Sequence, residues 1–508
     1  MFMDFSILFL NDVKIILPEL FLVTSILSLV IHGVLLVASP KYNYPLINKS
    51  ISWLSILILL WTLFLLYNNP ISFRIIFNKT FIYDDLTTFS QSIILISSVA
   101  CLAISQEYIK SYHLNSYEYY LLVLLAVLGL MLLTSSYDLI SAYLAIEMQS
   151  LSFYALAAFK RKSAFSTEAG LKYFILGAFS SGLILFGSSL IYGFTGVTNF
   201  DHMYCLLNEA LWGLNNSHHE HFFELYSYNS ALIMANAFLA VGFLFKLAAA
   251  PFHMWAPDVY EGAPTSSTSI FAVVPKMAVF VLFARIFQNS FFSDIYWWQS
   301  IIIFCAISSV LIGSLVTLKQ RKIKRLIAYS AISHVGYLLI AFSLGTFMGL
   351  QSLFFYILIY MITGICIWSI IMSVELQSDP SRNISDLSLL VKANPILAIT
   401  LSIALFSLAG VPPLAGFYAK IQVFLASIES CLYFIAIIGI LSSVISTFYY
   451  IRIIKTVYFE KVSVWHFYQP ISQINSITLG VSFLLIIFLF LSPNLFGLWA
   501  YKMTAALV

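Results

Sequence analysis

The sequence predicts an all-α protein that crosses a membrane about fourteen times. Of its 508 residues, 61% are hydrophobic and only 9% are charged, whereas soluble domains carry about 25% charged residues. The mean hydropathy is +0.94. Apolar stretches of the roughly 20 residues that cross about 30 Å of hydrocarbon follow one another along the chain. We therefore expect residues 1–508 to form a single membrane domain.

Apolar windows bounded by charges and turn residues define the individual spans. The longest polar connection separates the sixth span from the seventh. The predicted spans are 15–38, 49–68, 83–106, 115–134, 137–159, 166–195, 230–258, 264–288, 298–318, 325–345, 350–375, 393–424, 428–456 and 472–493.

The basic residues support this number of spans, because most of them fall on one side of the membrane. An excess of Lys and Arg marks the cytoplasmic or matrix side. If one span were miscounted, the Lys and Arg residues after it would change sides and would no longer be concentrated on one side of the membrane. If connections after odd-numbered spans share a side, that side receives Lys41, Lys49, Lys110, Lys160, Arg161, Lys162, Lys172, Lys319, Arg321, Lys322, Lys324, Arg325, Arg382, Lys392, Arg452, Lys455 and Lys461. The other side keeps Lys14, Arg74, Lys79, Arg285 and Lys502.

Spans four to eight, residues 115–288, and spans nine to thirteen, residues 298–456, form two successive groups of five. An odd number of crossings makes the second group start on the side opposite to the first. The two groups are therefore predicted to be inverted five-helix repeats, an arrangement typical of transporters.

The fourth helix of each group is predicted to be discontinuous. Small residues and prolines interrupt it at Leu247–Pro251 in the first group and at Ala409–Gly416 in the second, and Lys246 and Lys420 lie beside these interruptions. Broken helices at matching positions of inverted repeats indicate a midplane ion site, since freed backbone groups can solvate charge there. The alternative is a proline kink beside a lysine that reaches toward the membrane surface.

Besides Lys420, four ionisable groups are predicted to lie within the membrane: Glu147, Lys246, Lys276 and His334. A charge at mid-membrane costs about 2.5–3.5 kcal/mol on insertion scales, so Glu147 in the fifth span needs a partner or a function. We predict Lys246 as its partner, either for proton transfer or as a purely structural ion pair. Lys276 lies mid-span in the eighth helix, where low dielectric makes an ammonium release its proton more readily. His334 can link two lysines or be a hydrogen-bonded core imidazole.

Other function classes find little support. No basic run interleaved with aromatics suggests nucleic-acid binding. The five cysteines occur singly, without the spacing of a metal or iron–sulfur site, so we expect no redox centre and no metal in this chain. The His218–His221 segment has ligand-like side chains but is interpreted as a solvated loop. The 17% aromatic content is attributed to interfacial belts and packing.

Five segments carry a resemblance to a known family: 145–150, 166–181, 245–264, 324–337 and 408–420. In these segments the chain closely resembles the antiporter-like membrane subunits of respiratory NADH:ubiquinone oxidoreductase (complex I). Among them it is most similar to subunit 2, in the mitochondrially encoded form of plants and protists. The resemblance extends from about residue 115 to 457 and is loose in the first hundred residues and the tail.

The resemblance implies proton translocation coupled to electron transfer from NADH to ubiquinone. By position, Glu147, Lys246, Lys276 and Lys420 match the family's intramembrane ionisable residues, and with His334 they form the expected proton-transfer set. NADH, FMN, iron–sulfur clusters and ubiquinone are expected in partner subunits. The expected partners are other complex I subunits, especially neighbouring antiporter-like and small membrane-arm subunits, and lipids such as cardiolipin. The expected location is the mitochondrial inner membrane.

Two other functions stay open at this point. One is a subunit of a multi-subunit cation/proton antiporter, which shares the fold. The other is a non-transporting scaffold of the membrane arm, against which the buried ionisable groups argue. Migration with or without an NADH-oxidising assembly distinguishes the antiporter from the complex I subunit.

Overall fold

The computed structural model describes residues 11–37, 48–69, 73–112, 114, 116–207, 222–374, 383–460 and 471–507, without the side chains of 222–229 and 389. These residues include thirteen helices that are long and apolar enough to cross a membrane. The span predicted at 393–424 is divided into two short helices. Together these elements confirm the predicted all-α membrane fold. The segment His218–His221 lies outside the described residues.

Helices account for most of the secondary structure. The first seven are α1 (Leu17–Val37), α2 (Asn48–Tyr67), α3 (Asp85–Ser111), α4 (Glu118–Ser135), α5 (Leu139–Ala157), α6 (Ala164–Thr195) and α7 (Phe222–Leu247). They are followed by α8 (Trp255–Gly262), α9 (Thr265–Val273), α10 (Pro275–Ala284), α11 (Ile295–Thr317), α12 (Ile323–Ser343) and α13 (Phe347–Val374). The last six are α14 (Leu390–Ala393), α15 (Pro395–Ala409), α16 (Ala415–Glu429), α17 (Tyr433–Phe459), α18 (Gln473–Leu491) and α19 (Asn494–Ala505).

A short β-hairpin, which the sequence patterns did not indicate, connects α2 to α3. Its strands are β1 (Arg74–Ile76) and β2 (Phe81–Tyr83), paired antiparallel with Arg74 opposite Tyr83. Directly after β2, the Asp84 carboxylate accepts a hydrogen bond from the Thr87 backbone N–H at 2.8 Å and caps α3. This cap satisfies one of the backbone donors that the first turn of a helix leaves free.

Contacts between connecting segments group them at two ends of the bundle, as alternating crossings require. One end of the bundle contains the hairpin, the α4–α5 and α6–α7 connections and the end of the eighth span. Hydrogen bonds join these segments: Tyr137 N to Thr80 O (2.8 Å), Leu139 N to Thr198 O (3.1 Å) and Ser290 Oγ to Phe200 O (3.3 Å). At the opposite end meet connections after odd-numbered spans, through Lys172 to Asp258 (2.9 Å), Lys324 Nζ to Ala263 O (3.1 Å) and Ile384 N to Arg321 O (2.9 Å). We call this second end the basic end.

The spans differ strongly in how deeply they lie in the bundle. The span formed by Thr265–Ser290 is 94% buried and Ile323–Ser343 is 89% buried, whereas Ala164–Thr195 is only 33% buried. Lys276 and His334 lie on the two most buried of these helices. Their surroundings are therefore set by protein side chains rather than by lipid.

The eighth span ends in a single π-helical turn, Arg285–Ser290, that carries a buried ion pair. Nη2 of Arg285 lies 2.8 Å and 2.9 Å from the two carboxylate oxygens of Asp84, and the Arg285 side chain is only 2% exposed. The sequence analysis assigned Arg285 only to the side opposite the basic end, and the structure shows that it is buried there by its contact with Asp84. Because removal of one partner of such a pair costs about 3–5 kcal/mol, this pair fixes the span against the hairpin.

Both predicted helix breaks are present. Helix α7 ends at Leu247 and helical structure resumes at Trp255, while α15 ends at Ala409 and α16 begins at Ala415. At each break one residue has a positive φ, +59° at Ala248 and +83° at Gly410. The breaks occur inside the protein, where neighbouring groups can satisfy the freed backbone polar atoms.

Candidate functional site: a buried row of ionisable side chains

At the break between α15 and α16, the Lys420 side chain lies against backbone atoms at the end of α15. Its ammonium donates a hydrogen bond to the carbonyl of Ala409, the last residue of α15, at 2.8 Å. A Cβ on Gly410 would lie 2.8 Å from the Lys420 Cδ, so the glycine leaves the space that this side chain occupies. The ammonium also lies 5.2 Å from the Tyr337 ring centroid, within cation–π range. The broken helix thus solvates a buried cation, as its sequence predicts.

Lys246 lies one residue before the end of α7 and is held differently. Its nearest hydrogen-bond partner is the Tyr154 hydroxyl on α5, at 3.4 Å, and its ammonium is 5.8 Å from the centroid of the same ring. Tyr154 packs against Gly177 of α6, where a Cβ would lie 2.1 Å from the hydroxyl oxygen. A glycine on α6 therefore permits this position of the tyrosine.

Glu147 lies two turns before Tyr154 on α5. One carboxylate oxygen accepts a hydrogen bond from the Ser150 hydroxyl at 3.3 Å. The other, Oε1, is buried and has no hydrogen-bond partner among the described residues. An unsatisfied buried oxygen is costly, so this carboxylate oxygen is suited to accept a hydrogen bond from a water molecule.

Glu147 and Lys246, which the sequence predicts as partners, do not contact each other directly. Among the ion pairs between described residues none joins them. Residues Glu147, Ser150 and Tyr154 follow one another at helical spacings of three and four and therefore share a face of α5. The hydroxyl groups on this face lie between the carboxylate and the lysine.

Lys276 follows a proline at the start of α10 and connects the two halves. Its ammonium donates a hydrogen bond to the Tyr360 hydroxyl of α13 at 2.6 Å and lies 4.0 Å from the centroid of that ring. Only 6% of the residue is exposed. Since Pro275 cannot donate a backbone hydrogen bond, the chain separates α9 from α10 at this point and presents Lys276 inside the bundle.

His334 of α12 lies between tyrosines. Its Nδ1 is 2.8 Å from the Tyr356 hydroxyl and its Nε2 is 3.1 Å from the Tyr450 hydroxyl. The Tyr360 ring lies 5.4 Å from the imidazole, measured between centroids. A neutral imidazole has one donor and one acceptor nitrogen, and hydroxyl partners can serve either tautomer. His334 can therefore pass a proton without turning its ring.

Two small cavities lie along this row. The first, of about 40 Å³, is lined by both Lys246 and Lys276 together with Gln149 and Ser150. The second, of about 10 Å³, is lined by His334, Tyr356, Tyr360, Thr363 and Lys420. A water molecule needs about 10–15 Å³ and two to four polar partners. The first cavity accommodates two or three waters, and the second about one.

The structure thus places the five predicted site residues in one row through the bundle, which we call the titratable row: Glu147, Lys246, Lys276, His334 and Lys420. The last three are buried, and Glu147 and Lys246 are half-buried. Sequence reasoning missed the tyrosines that join its members, because it attributed aromatic residues to packing and interfacial belts. Helical spacing offered a signal: Tyr154 lies at i+7 from Glu147, and Tyr356 and Tyr360 lie at i and i+4.

Comparison with known proteins identifies the family of this chain. Residues 136–446 match the family model described as NADH:quinone oxidoreductase/Mrp antiporter, transmembrane. NADH-ubiquinone oxidoreductase chain 2 of Marchantia polymorpha is 44% identical over 98% of this chain and 100% of its own length. A chain of respiratory complex I from Thermus thermophilus superposes with a TM-score of 0.76 at 26% identity, over 94% of this chain and 98% of that one.

The fold also extends to an antiporter assembly. A chain of the Mrp complex from Dietzia sp. superposes with a TM-score of 0.80 over 98% of this chain and 97% of that one. Its sequence is 20% identical, so this likeness concerns the fold alone. The matched family model covers more than half of the 508 residues, and the Marchantia protein aligns over its whole length. The chain therefore belongs to the NADH:quinone oxidoreductase/Mrp antiporter family of membrane subunits.

Proposed function

We propose that this chain is the antiporter-like subunit 2 of NADH:ubiquinone oxidoreductase and that it moves protons along the titratable row. The observation that carries the proposal is continuity: Lys246, Lys276, His334 and Lys420 contact tyrosine side chains or share water-sized cavities, and Glu147 contacts Ser150, which lines the first of these cavities. Intramembrane ionisable groups facing a bundle interior mark proton pathways in membrane proteins.

The proposed mechanism uses repulsion and attraction between neighbouring charges. Lys246 and Lys276 line the same cavity, and two ammonium groups in low dielectric repel each other. A proton arriving on one therefore favours release from the other. A carboxylate at Glu147 favours the charged form of Lys246. Protonation of the Glu147 carboxyl group would remove this stabilisation, so Lys246 would release its proton toward Lys276.

From Lys276 the proposed route continues through Tyr360 to His334 and Lys420. The Lys276–Tyr360 hydrogen bond of 2.6 Å and the tyrosine contacts of His334 give short donor–acceptor steps. The second cavity, which both His334 and Lys420 line, supplies room for about one bridging water. On this route no side chain has to cross the bundle.

Electron transfer is assigned to partner subunits. The five cysteines of this chain are free among the described residues, and three of them are buried. Their occurrence as single residues supports this proposal, because iron–sulfur clusters are held by grouped thiolates. We propose that NADH, FMN, the iron–sulfur clusters and ubiquinone bind elsewhere in the assembly. The names of the plant relatives and the multi-pass architecture support the mitochondrial inner membrane as the location.

Co-migration tests the proposed assembly. On native gels of solubilised inner membranes, antibody against this chain should mark the band that an in-gel NADH dehydrogenase stain reveals. Complex II, probed on the same gel, controls for comigration by size alone. If the chain migrates only in bands without NADH oxidation, it belongs to a separate antiporter and the assignment to NADH:ubiquinone oxidoreductase fails.

Topology gives a second expected result. The basic end, with the Lys160–Lys162 and Lys319–Arg325 loops, should face the matrix. A single cysteine at Lys162 or Lys319 should therefore resist an impermeant maleimide in intact mitoplasts and react after permeabilisation. A cysteine at Lys79, near the opposite end, is the matched control and should react without permeabilisation. Labelling of the Lys162→Cys variant in intact mitoplasts would contradict this orientation.

A further inference from the structure

A cavity of about 40 Å³, which we call the apolar cavity, lies between α12, α13, α15 and α17 and is not used by the proposed proton route. It begins near the basic end, where Ile323 starts α12 and Val374 ends α13. Along α15 it extends from Leu401 to Leu408, which is about 10 Å of helix. The apolar cavity therefore occupies the space between the basic end and the helix break at Lys420.

The lining of the apolar cavity is aliphatic. Among the described residues that surround it, every one is Ile, Leu or Val except Tyr450, whose hydroxyl already lies 3.1 Å from His334 Nε2. The first cavity of the row has the same volume but is lined by Lys246, Lys276 and polar side chains. A water molecule needs two to four polar partners, and cavities lined by aliphatic side chains stay dry. The lining, and not the size, therefore excludes water from the apolar cavity.

One layer of side chains separates the apolar cavity from the second cavity of the row. Leu408 lines both cavities. Tyr450 borders the apolar cavity and contacts His334, which lines the second cavity together with Lys420. Both Leu408 and Tyr450 are buried. Water in the apolar cavity would therefore extend a hydrogen-bonded path from the basic end to the edge of the row.

We propose that the apolar cavity is a hydrophobic seal that isolates the second half of the titratable row from the basic end. Protons on His334 and Lys420 are then exchanged along the row and do not return to the basic end directly. Hydrophobic constrictions block pathways in channels by excluding water, and an unsolvated charge in an aliphatic environment is strongly disfavoured. The proposal rests on the proposed function, because a seal is needed only where the row carries protons.

Passive proton flux tests the seal on the complete assembly in proteoliposomes without NADH. A potassium diffusion potential drives protons across the membrane, and an enclosed pH-sensitive dye records the flux above that of protein-free liposomes. Leu405→Asn places an amide in the apolar cavity and should raise this flux about fivefold, the effect of one added hydrogen bond on a barrier. With NADH, the variant should continue to reduce ubiquinone but pump fewer protons per electron.

Two control variants separate polarity from loosened packing. Leu405→Ala enlarges the apolar cavity and leaves it aliphatic, and Ile399→Asn places an amide on the same helix at a position that is 49% exposed. Both should keep the wild-type flux. If Leu405→Asn does not assemble, Ile371→Thr introduces a hydroxyl into the same cavity from α13 with a smaller change in shape, and it should leak as well.

A double variant tests where the leak joins the row. Adding Lys420→Met to Leu405→Asn should restore the wild-type flux, because the leaking protons enter the row beside this lysine. Wild-type flux in the assembled cavity variants, equal fluxes in Leu405→Ala and Leu405→Asn, or a leak that persists without Lys420 would overturn the seal. The proposed function fails by a different result, which is normal pumping by a Lys276→Met complex.

Discussion

The Lys276→Met variant should assemble normally and lose proton pumping together with most of its NADH:ubiquinone turnover. Lys276 is the link between the two cavities of the titratable row, through its 2.6 Å hydrogen bond to Tyr360. Methionine fills a similar volume without a charge and is easier to place in a membrane. We expect a fall of about a hundredfold, the lower end of the range for removal of a positioned proton-transfer group.

The Tyr360→Phe variant separates proton transfer from packing. It removes only the hydroxyl that accepts the hydrogen bond from Lys276 and leaves the ring in place. Tyr449→Phe is the matched control, because Tyr449 is equally buried and its hydroxyl has no hydrogen-bond partner among the described residues. Assembly is read on native gels and pumping from a pH-sensitive dye in proteoliposomes.

An assembled Lys276→Met complex that pumps at the wild-type rate would exclude this lysine from the route.

The Glu147→Gln variant should also assemble and lose coupled turnover and pumping. Glutamine keeps the shape and can still accept a hydrogen bond from Ser150, but it cannot exchange a proton. Without the carboxylate, a nearby negative charge is lost, and such a charge generally favours the charged form of a lysine. Glu147→Asp, which retains a carboxylate one methylene shorter, should have a milder defect.

A purely structural role for Glu147 predicts a different result. If the carboxylate mainly held helices together, Glu147→Gln would reduce the amount of assembled complex, and the residual complexes would pump at a normal ratio of protons to electrons. Glu118→Gln, at the exposed start of α4, controls for loss of a carboxylate outside the row. Undiminished pumping by a fully assembled Glu147→Gln complex would exclude a relay role for this residue.

The helix breaks show where sequence reasoning succeeds. Prolines and small residues beside Lys246 and Lys420 predicted both discontinuities, because a missing backbone donor and a positive φ are local properties of the chain. The same is true of the spans and of their alternation, which depend on hydrophobic length and on the basic residues. All five members of the titratable row were identified in this way, since an ionisable group within an apolar stretch is conspicuous.

The contacts between these side chains could not be predicted from the sequence. Glu147 and Lys246 are a plausible pair by charge, yet Tyr154 and Ser150 lie between them because α5 presents a face of hydroxyl groups there. The sequence assigned Arg285 only to one side of the membrane, and its buried ion pair with Asp84, 201 positions earlier, is seen only in the structure. Such contacts join helices far apart in sequence, and their distances depend on packing that no local pattern encodes.

By itself the sequence determined an all-α membrane protein, its number of crossings, the two broken helices and the ionisable groups placed at membrane depth. Each follows from short-range chemistry: hydrophobic length, missing donors and the cost of burying charge. Only the tertiary structure decided that tyrosine hydroxyls and water-sized cavities connect these groups, and that aliphatic side chains from four helices enclose one apolar cavity. A row or a cavity exists only once distant helices pack together, because its dimensions are the gaps that their side chains leave.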